Sequence, residues 1–319
     1  MKKKFGMGIY LLIGLVLLFF TIRTASIGLD PVDCKLYERA IALDARAGGF
    51  GFPNFSVRNY SVRVSNGRTD EVFRDGHRHR EKAAFDTLVA TAQKIGDEYE
   101  VILPTYRDFS TFFDFLNGLA TAAEGGENFS ADRYSEEFHI AMLFHESFHA
   151  WQFSTMTAEA KEKMESLMAI GEDAEKIVRE EIDSNPKHRK SIQNELKYLY
   201  KADQAKDRAE LTEALENALE EESARRESLS DGAVSAERFY ETVEGTARYV
   251  ESKAYRALTD EAAYRRAYLN GGAYFGGSEK YYRIGMMKAL LLDRVAPGWQ
   301  KDFALPDDLS EKLRAAMEK

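Results

Sequence analysis

The chain has 319 residues, of which 44% are hydrophobic and 30% are charged. That length and apolar content suffice for one large domain or two ordinary ones with a buried core, which excludes disorder as the overall state. The formal net charge of −9 argues against nucleic acid as a partner, because phosphate binding needs a basic surface. The single cysteine, Cys34, excludes a disulfide scaffold, a thiolate-rich zinc ribbon and an iron–sulfur cluster.

The N-terminus resembles an export signal. Lysines at positions 2–4 precede an uncharged, mostly apolar run from Phe5 to Ile22, which Arg23 ends. We expect residues 1–26 to act as a signal anchor or signal peptide, and the length of the run favours an uncleaved transmembrane helix. The rest of the chain would then be membrane-anchored on the extracytoplasmic side, or secreted if the segment is cleaved.

The first part of the exported region combines helix and strand patterns. Residues 23–53 predict a linker and a helix, which a Gly-rich break ends. Near-alternating apolar residues from Phe55 to Phe73, interrupted by Asn66-Gly67, predict a β-hairpin. Lys82 to Ile95 fits a helix, and Tyr99 to Leu103 fits a further strand that Pro104 ends. The strand segment from Glu100 to Leu103 would offer an edge to an extended peptide.

Helix patterns dominate the remainder. One mostly apolar helix is predicted from Ser135 to Phe153, and a charged helical hairpin covers about 157–232, broken at Asp183–Pro186. We interpret this hairpin as a long insertion with one solvated face. Further helices are expected up to about Leu258, with Ser235 as a cap, and over 279–295 and 308–318. The fold class predicted is α+β and mostly helical.

The apolar helix carries the sequence His145-Glu146-Ser-Phe-His149. Residues four apart lie on one face of a helix, so both imidazoles can bind the same metal ion. Glu146 projects beside them, where it can take a proton from a water that Zn²⁺ activates. Two histidines and a glutamate in a buried helix need partners, and a metal supplies them.

A catalytic zinc usually has three protein ligands, and the third must come from elsewhere in the chain. Glu244 is the best candidate, because it lies on a predicted helix beside Gly245, which would allow close packing against the metal-binding helix. Glu241, one turn earlier, is the main rival, and Glu251 lies two turns later on the same face.

The sequences HESFHAWQ and EGTARYVE, in this order, resemble those of the gluzincin group of zinc metallopeptidases. The resemblance implies a zincin-like domain over residues 27–319, with His145, His149 and Glu244 as zinc ligands and Glu146 as general base. The chain departs from the pattern in two ways. The interval between His149 and Glu244 is long, and Arg248 occupies the position where some members have an acidic residue that orients a histidine.

Gluzincin-like sites often use a downstream tyrosine or histidine to stabilise the oxyanion. By this likeness Tyr282 is the preferred candidate, with Tyr281 and Tyr274 as alternatives. His77 and His79 lie among arginines, which disfavour a cation, and we interpret them as part of a solvated basic turn.

Three functional hypotheses follow. The leading one is a membrane-anchored, extracytoplasmic zinc metallopeptidase that hydrolyses peptide bonds in a peptide or protein substrate. The second is a catalytically inactive zinc-site protein. The third is an envelope interaction module that uses the charged helical hairpin.

Overall fold

The computed structural model describes residues 30–85, 89–114, 134–162, 171–270 and 276–318. Helix α1 spans Pro31–Ala47 and begins at Asp30, whose carboxylate accepts a hydrogen bond from the Val32 amide. It ends at Gly48, which adopts the left-handed conformation with φ of 55°. The predicted helix and its Gly-rich end are therefore confirmed.

Five strands form one mixed sheet. Strands β1 (Ser61–Ser65), β2 (Thr69–Arg74), β3 (His77–Lys82), β4 (Thr91–Ile95) and β5 (Glu98–Pro104) lie in the order β3-β2-β1-β5-β4. Strands β1 and β5 run parallel, and the other neighbours are antiparallel. The hairpin predicted at Asn66-Gly67 is confirmed, since Asn66 Oδ1 accepts hydrogen bonds from the Arg68 and Thr69 amides within that turn.

Two predictions about the sheet are wrong. The segment from Lys82 to Ile95 is not a helix: Lys82 ends β3, and Thr91–Ile95 pairs with β5 along an antiparallel ladder. The polar residues of β4 carry little periodicity, so the hydrogen bonds to β5 determine its conformation rather than a pattern of its own. The segment from Glu100 to Leu103 is not an edge either, because β5 is paired on both sides, and β4 forms the edge.

Helices make up most of the rest, so the α+β, mostly helical class is confirmed. Short helical stretches cover 106–114 and 158–162. The longer helices are α2 (Glu136–Thr155), α3 (Gly171–Ile177), α4 (Pro186–Gln204), α5 (Arg208–Arg226), α6 (Asp231–Phe239), α7 (Gly245–Leu258), α8 (Glu261–Tyr268), α9 (Glu279–Val295) and α10 (Leu309–Met317). Two π-helical turns, Val178–Asp183 and Tyr240–Glu244, follow α3 and α6 respectively.

Helix α2 lies between the β-sheet and the other helices. It packs on strands β4 and β5 on one side and on helix α7 on the other. Helix α7 in turn packs against α9, and α9 packs against α4. Almost every face of α2 therefore contacts protein, which explains why its sequence is apolar nearly all round.

The charged helical segment is more buried than the predicted hairpin with one solvated face. Helices α4 and α5 pack on each other, with Asn185 and Pro186 at the first turn of α4 as expected. They also bury charged side chains. The Lys288 ammonium of α9 lies 3.1 Å from Glu195, 2.8 Å from Glu222 and 2.7 Å from Glu241. These carboxylates are buried, so the two helices belong to the protein interior as well as to its surface.

The prediction of a transmembrane helix is corrected. Across the described residues, no helix combines the length and the apolar character that a bilayer crossing demands. The segment to which the prediction applied, residues 1–26, lies outside the described residues, and membrane attachment forms no part of the function proposed below.

Two glycines allow a close contact between helices α7 and α9. A Cβ atom on Gly285 of α9 would lie 2.0 Å from the Glu241 carbonyl oxygen, and one on Gly245 of α7 would lie 2.5 Å from the Gly285 Cα. Gly245 thus packs against α9, not against the metal-binding helix as the sequence suggested. The contact holds the π turn Tyr240–Glu244 against α9.

We expect Gly285→Ala to destabilise the protein by about 3 kcal/mol, because backbone must move to admit the methyl group. Gly232→Ala is the matched control, since its Cβ would meet Ile177 at an ordinary 3.6 Å and alanine favours the helix. Chemical denaturation of both variants measures the difference. Equal free energies of unfolding for the two variants would contradict this account of the contact.

Candidate metal centre

Helix α2 presents both histidines of the motif on one face. The hydroxyl of Ser135 caps the helix by accepting a hydrogen bond from the Phe138 amide. His145, Glu146 and His149 are all buried. His145 and His149 are four residues apart, and their Nε2 atoms lie 3.0 Å from each other.

Glu244 reaches the same point from the opposite helix. It is the last residue of the π turn Tyr240–Glu244, a local widening of the helix that is frequent at functional sites. Its Oε2 lies 3.2 Å from His149 Nε2 and 3.4 Å from His145 Nε2. The structure therefore brings the three predicted metal ligands together, with Glu244 the most exposed of them at 20% of its side chain.

The second nitrogen of each imidazole is hydrogen-bonded. His145 Nδ1 lies 2.7 Å from Glu251 Oε2, and His149 Nδ1 lies 2.8 Å from Gln152 Oε1. The orientation of the Gln152 amide follows from its surroundings, because its nitrogen donates to the Val243 carbonyl and to Thr246 Oγ1. Both partners are acceptors, so in the neutral rings the protons are on Nδ1.

This tautomer leaves three acceptors facing one another. The Nε2 lone pairs of His145 and His149 and the Glu244 carboxylate converge within 3.0–3.4 Å, without a hydrogen between them. Such an arrangement is unfavourable unless a cation or a proton binds there. Two imidazole nitrogens and one carboxylate are a ligand set of catalytic zinc sites, so the residues fit this metal.

The pKa values follow from the same contacts. Burial alone would lower the pKa of His145, but hydrogen bonds to Glu244 and Glu251 raise it to about 10. Burial also opposes the ionised form of Glu244, yet the two imidazoles hold its pKa well below the usual range. Without metal, a proton is therefore bound among the three groups. A divalent cation bound there would displace that proton, so its affinity would fall as the pH falls.

Neither rival to Glu244 lies among the ligands. Glu251 instead orients His145, and its other oxygen accepts a hydrogen bond of 2.6 Å from the Tyr268 hydroxyl. The gluzincin pattern expected an acidic residue at position 248 to orient a histidine. Glu251, three residues later, makes that contact instead. Glu241 points to Lys288 and Arg226, and burial raises its pKa to about 7.

Glu146 and Tyr282 are the two predicted catalytic residues. Glu146 makes no hydrogen bond with its carboxylate to any described residue, and burial raises its pKa although both imidazoles oppose this. Burial, followed by the nearby Glu244 charge, raises the pKa of Tyr282, so its phenol stays protonated next to the site. Tyr281 is committed elsewhere by a 2.9 Å hydrogen bond to Glu237, and Tyr274 lies outside the described residues.

The remaining histidines take no part. His77 and His79 lie on the exposed strand β3, and His79 contacts Glu81 at 2.8 Å. They belong to a strand after the Asp75-Gly76 turn rather than to the turn itself. His139 is buried against the Tyr134 hydroxyl at 2.8 Å, and burial lowers its pKa to about 3.

No family model matches this chain, and neither a curated protein nor a solved structure matches it.

We expect Glu251→Gln to weaken zinc binding by about 10–100-fold, because the amide keeps the shape but removes the charge that holds His145 Nδ1–H. Glu261→Gln, half-exposed on the neighbouring helix, is the matched control. Competition with a zinc chelator measures both affinities. Unchanged affinity in Glu251→Gln would show that the contact does not orient a metal ligand.

Proposed function

We propose that the protein is a zinc-dependent peptide-bond hydrolase. The observation that carries the proposal is the convergence of His145 Nε2, His149 Nε2 and Glu244 Oε2, each with its lone pair directed at the same point. Glu251 and Gln152 fix the tautomers that produce it. A site with three protein ligands and an accessible side is the arrangement of catalytic rather than structural zinc.

The spacing of the ligands supports zinc as the metal. Ligand atoms bound at about 2.0–2.1 Å around a tetrahedral ion lie about 3.3–3.4 Å apart. The three separations here are 3.0, 3.2 and 3.4 Å. Nitrogen ligands disfavour calcium and magnesium, which prefer oxygen. When bound, zinc would supply a Lewis acid and lower the pKa of water at the site.

Glu146 is the residue that moves protons in the proposed reaction. Its carboxylate lies beside the ligands on α2 and makes no hydrogen bond among the described residues. The raised pKa that burial gives it suits a group that accepts a proton from the attacking water and then donates it to the departing amine. The proton ends on the amine, so Glu146 is regenerated as the carboxylate.

Tyr282 is the proposed donor to the oxygen that becomes negative during attack. Its phenol remains protonated because burial and Glu244 disfavour the phenolate. The ring of Tyr240 lies 6.1 Å from that of Tyr282 and restricts its position. A preorganised donor of this kind contributes to catalysis by stabilising charge that develops only in the transition state.

A cleft is bordered by the aromatic ring that packs on His149. It has a volume of about 510 Å³ and is bordered by Tyr60, Lys94, Tyr99 and Phe153. The Phe153 ring stacks on the His149 ring at 5.9 Å, and none of the three candidate ligands lines the cleft itself. Lys94 belongs to β4, an edge strand of the sheet, and an extended peptide can add to such an edge.

The direct test is hydrolysis of a mixed peptide library by the zinc-loaded protein, followed by mass spectrometry. We expect Glu146→Gln to retain zinc and to lose about 10²–10⁴-fold in rate, because the proton acceptor is removed. Glu136→Gln, an exposed change on the same helix, should keep the wild-type rate. Zinc binding with no turnover of any peptide would overturn the peptidase assignment and leave an inactive zinc-site protein.

A further inference from the structure

Two arginines, one on α7 and one on α9, lie close to each other. Arg248 is four residues after Glu244 and so lies one turn further along the same face of α7. Arg283 approaches from α9. Their side chains are only 18% and 10% exposed, so both guanidinium groups are largely removed from water.

The two guanidinium groups share one carboxylate. Glu279 Oε1 lies 3.2 Å from Arg248 and 3.8 Å from Arg283. Arg283 also donates to Asn270 Oδ1 at 3.3 Å, and Arg248 lies over the Tyr268 ring at 5.7 Å. The buried Arg248 Nε has no hydrogen-bond partner among the described residues, which leaves a donor for a further acceptor.

The other nearby acid, Glu251, has a hydrogen-bond partner on each of its oxygens. Glu251 accepts hydrogen bonds from His145 and Tyr268 on its two oxygens, so it cannot turn towards the arginines without releasing His145. Among the described residues, Glu279 is the acid that forms an ion pair with both Arg248 and Arg283. Burial lowers the pKa of Arg283, and the charge of Arg248 adds to this effect.

We propose that Arg248 and Arg283 form a subsite for a carboxylate group of the substrate. Glu279 occupies the position of that carboxylate in the free protein. It is the first residue of α9 and is 37% exposed, so its side chain can move into solvent when a substrate carboxylate replaces it. Arginine pairs bind carboxylates through several charge-assisted hydrogen bonds at once.

The distance along α7 indicates which carboxylate this is. One helical turn advances about 5.4 Å, whereas one residue of an extended peptide advances about 3.3–3.6 Å. A carboxylate at Arg248 thus lies one or two residues beyond the bond cleaved beside Glu244. The substrate class is a peptide with its C-terminal carboxylate, or an aspartate or glutamate side chain, at that place. This inference rests on the proposed function, which identifies the site at Glu244 as the place of peptide-bond cleavage.

Calorimetric titration with three probes tests the proposal. The probes are N-acetyl-tetra-alanine as the free acid, the same peptide as the amide, and the amide with aspartate as its last residue. Zinc-loaded Glu146→Gln protein prevents turnover. We expect the free acid or the aspartate amide to bind at least about tenfold more tightly than the plain amide. The free acid identifies a C-terminal carboxylate, and the aspartate amide identifies a side chain.

Single substitutions test whether the two arginines cause the preference for a carboxylate. Arg248→Gln and Arg283→Gln should each remove it, whereas Arg256→Gln, an exposed change two turns further along α7, should retain it. Glu279→Gln should strengthen it, because both arginines lose their internal partner; misfolding cannot produce such a gain. Equal or undetectable binding of all three probes, or a preference that survives both arginine substitutions, would overturn the proposal.

The outcomes separate this proposal from the peptidase assignment. A protein that hydrolyses the free acid, the plain amide and the aspartate amide equally well keeps the proposed function and loses the carboxylate subsite. A carboxylate preference in a protein that hydrolyses nothing keeps the subsite and overturns the peptidase. The same titration with metal-free protein makes the role of the arginines testable without zinc.

Discussion

The site depends on one constraint: three hydrogen-bond acceptors, two imidazole nitrogens and a carboxylate oxygen, face one another. His145, His149 and Glu244 hold these atoms within 3.0–3.4 Å of one another, with both imidazoles buried. Only a positive charge makes this arrangement stable. The raised pKa of His145 and the lowered pKa of Glu244 are two consequences of that single requirement.

The surrounding fold maintains the constraint through contacts between helices. Hydrogen bonds from α2 to α7, at Glu251 and Gln152, keep the two helices in register and fix both imidazole tautomers. The close approach of Gly245 and Gly285 holds α7 and the π turn against α9. On the far side of that turn, Lys288 binds Glu241 and thereby ties the same segment to helices α4 and α5. Glu244, a candidate ligand on a π turn, is thus held by contacts with α9 and by the ion pair of the same turn with Lys288.

The convergence of the three candidate ligands was predictable from the sequence, whereas the residues that hold them in place were not. The spacing of His145 and His149 is a local property of one helix, and Glu244 could be chosen by its pattern. Glu251 seemed a rival ligand because sequence gives the face of a helix but not the depth at which it packs. The strand at Thr91–Ile95 was mistaken for helix because its conformation comes from pairing with β5. The burial of Glu195 and Glu222 depends on the distant Lys288, which no local pattern reveals.

The most direct test is the zinc content of the purified protein, combined with X-ray absorption spectroscopy of the bound metal. The account predicts about one zinc per chain with two imidazole ligands and a carboxylate among its neighbours, and loss or strong weakening of binding in both His149→Ala and Glu244→Ala. A protein that takes up no zinc after reconstitution, or one whose zinc is unaffected by either substitution, would contradict it.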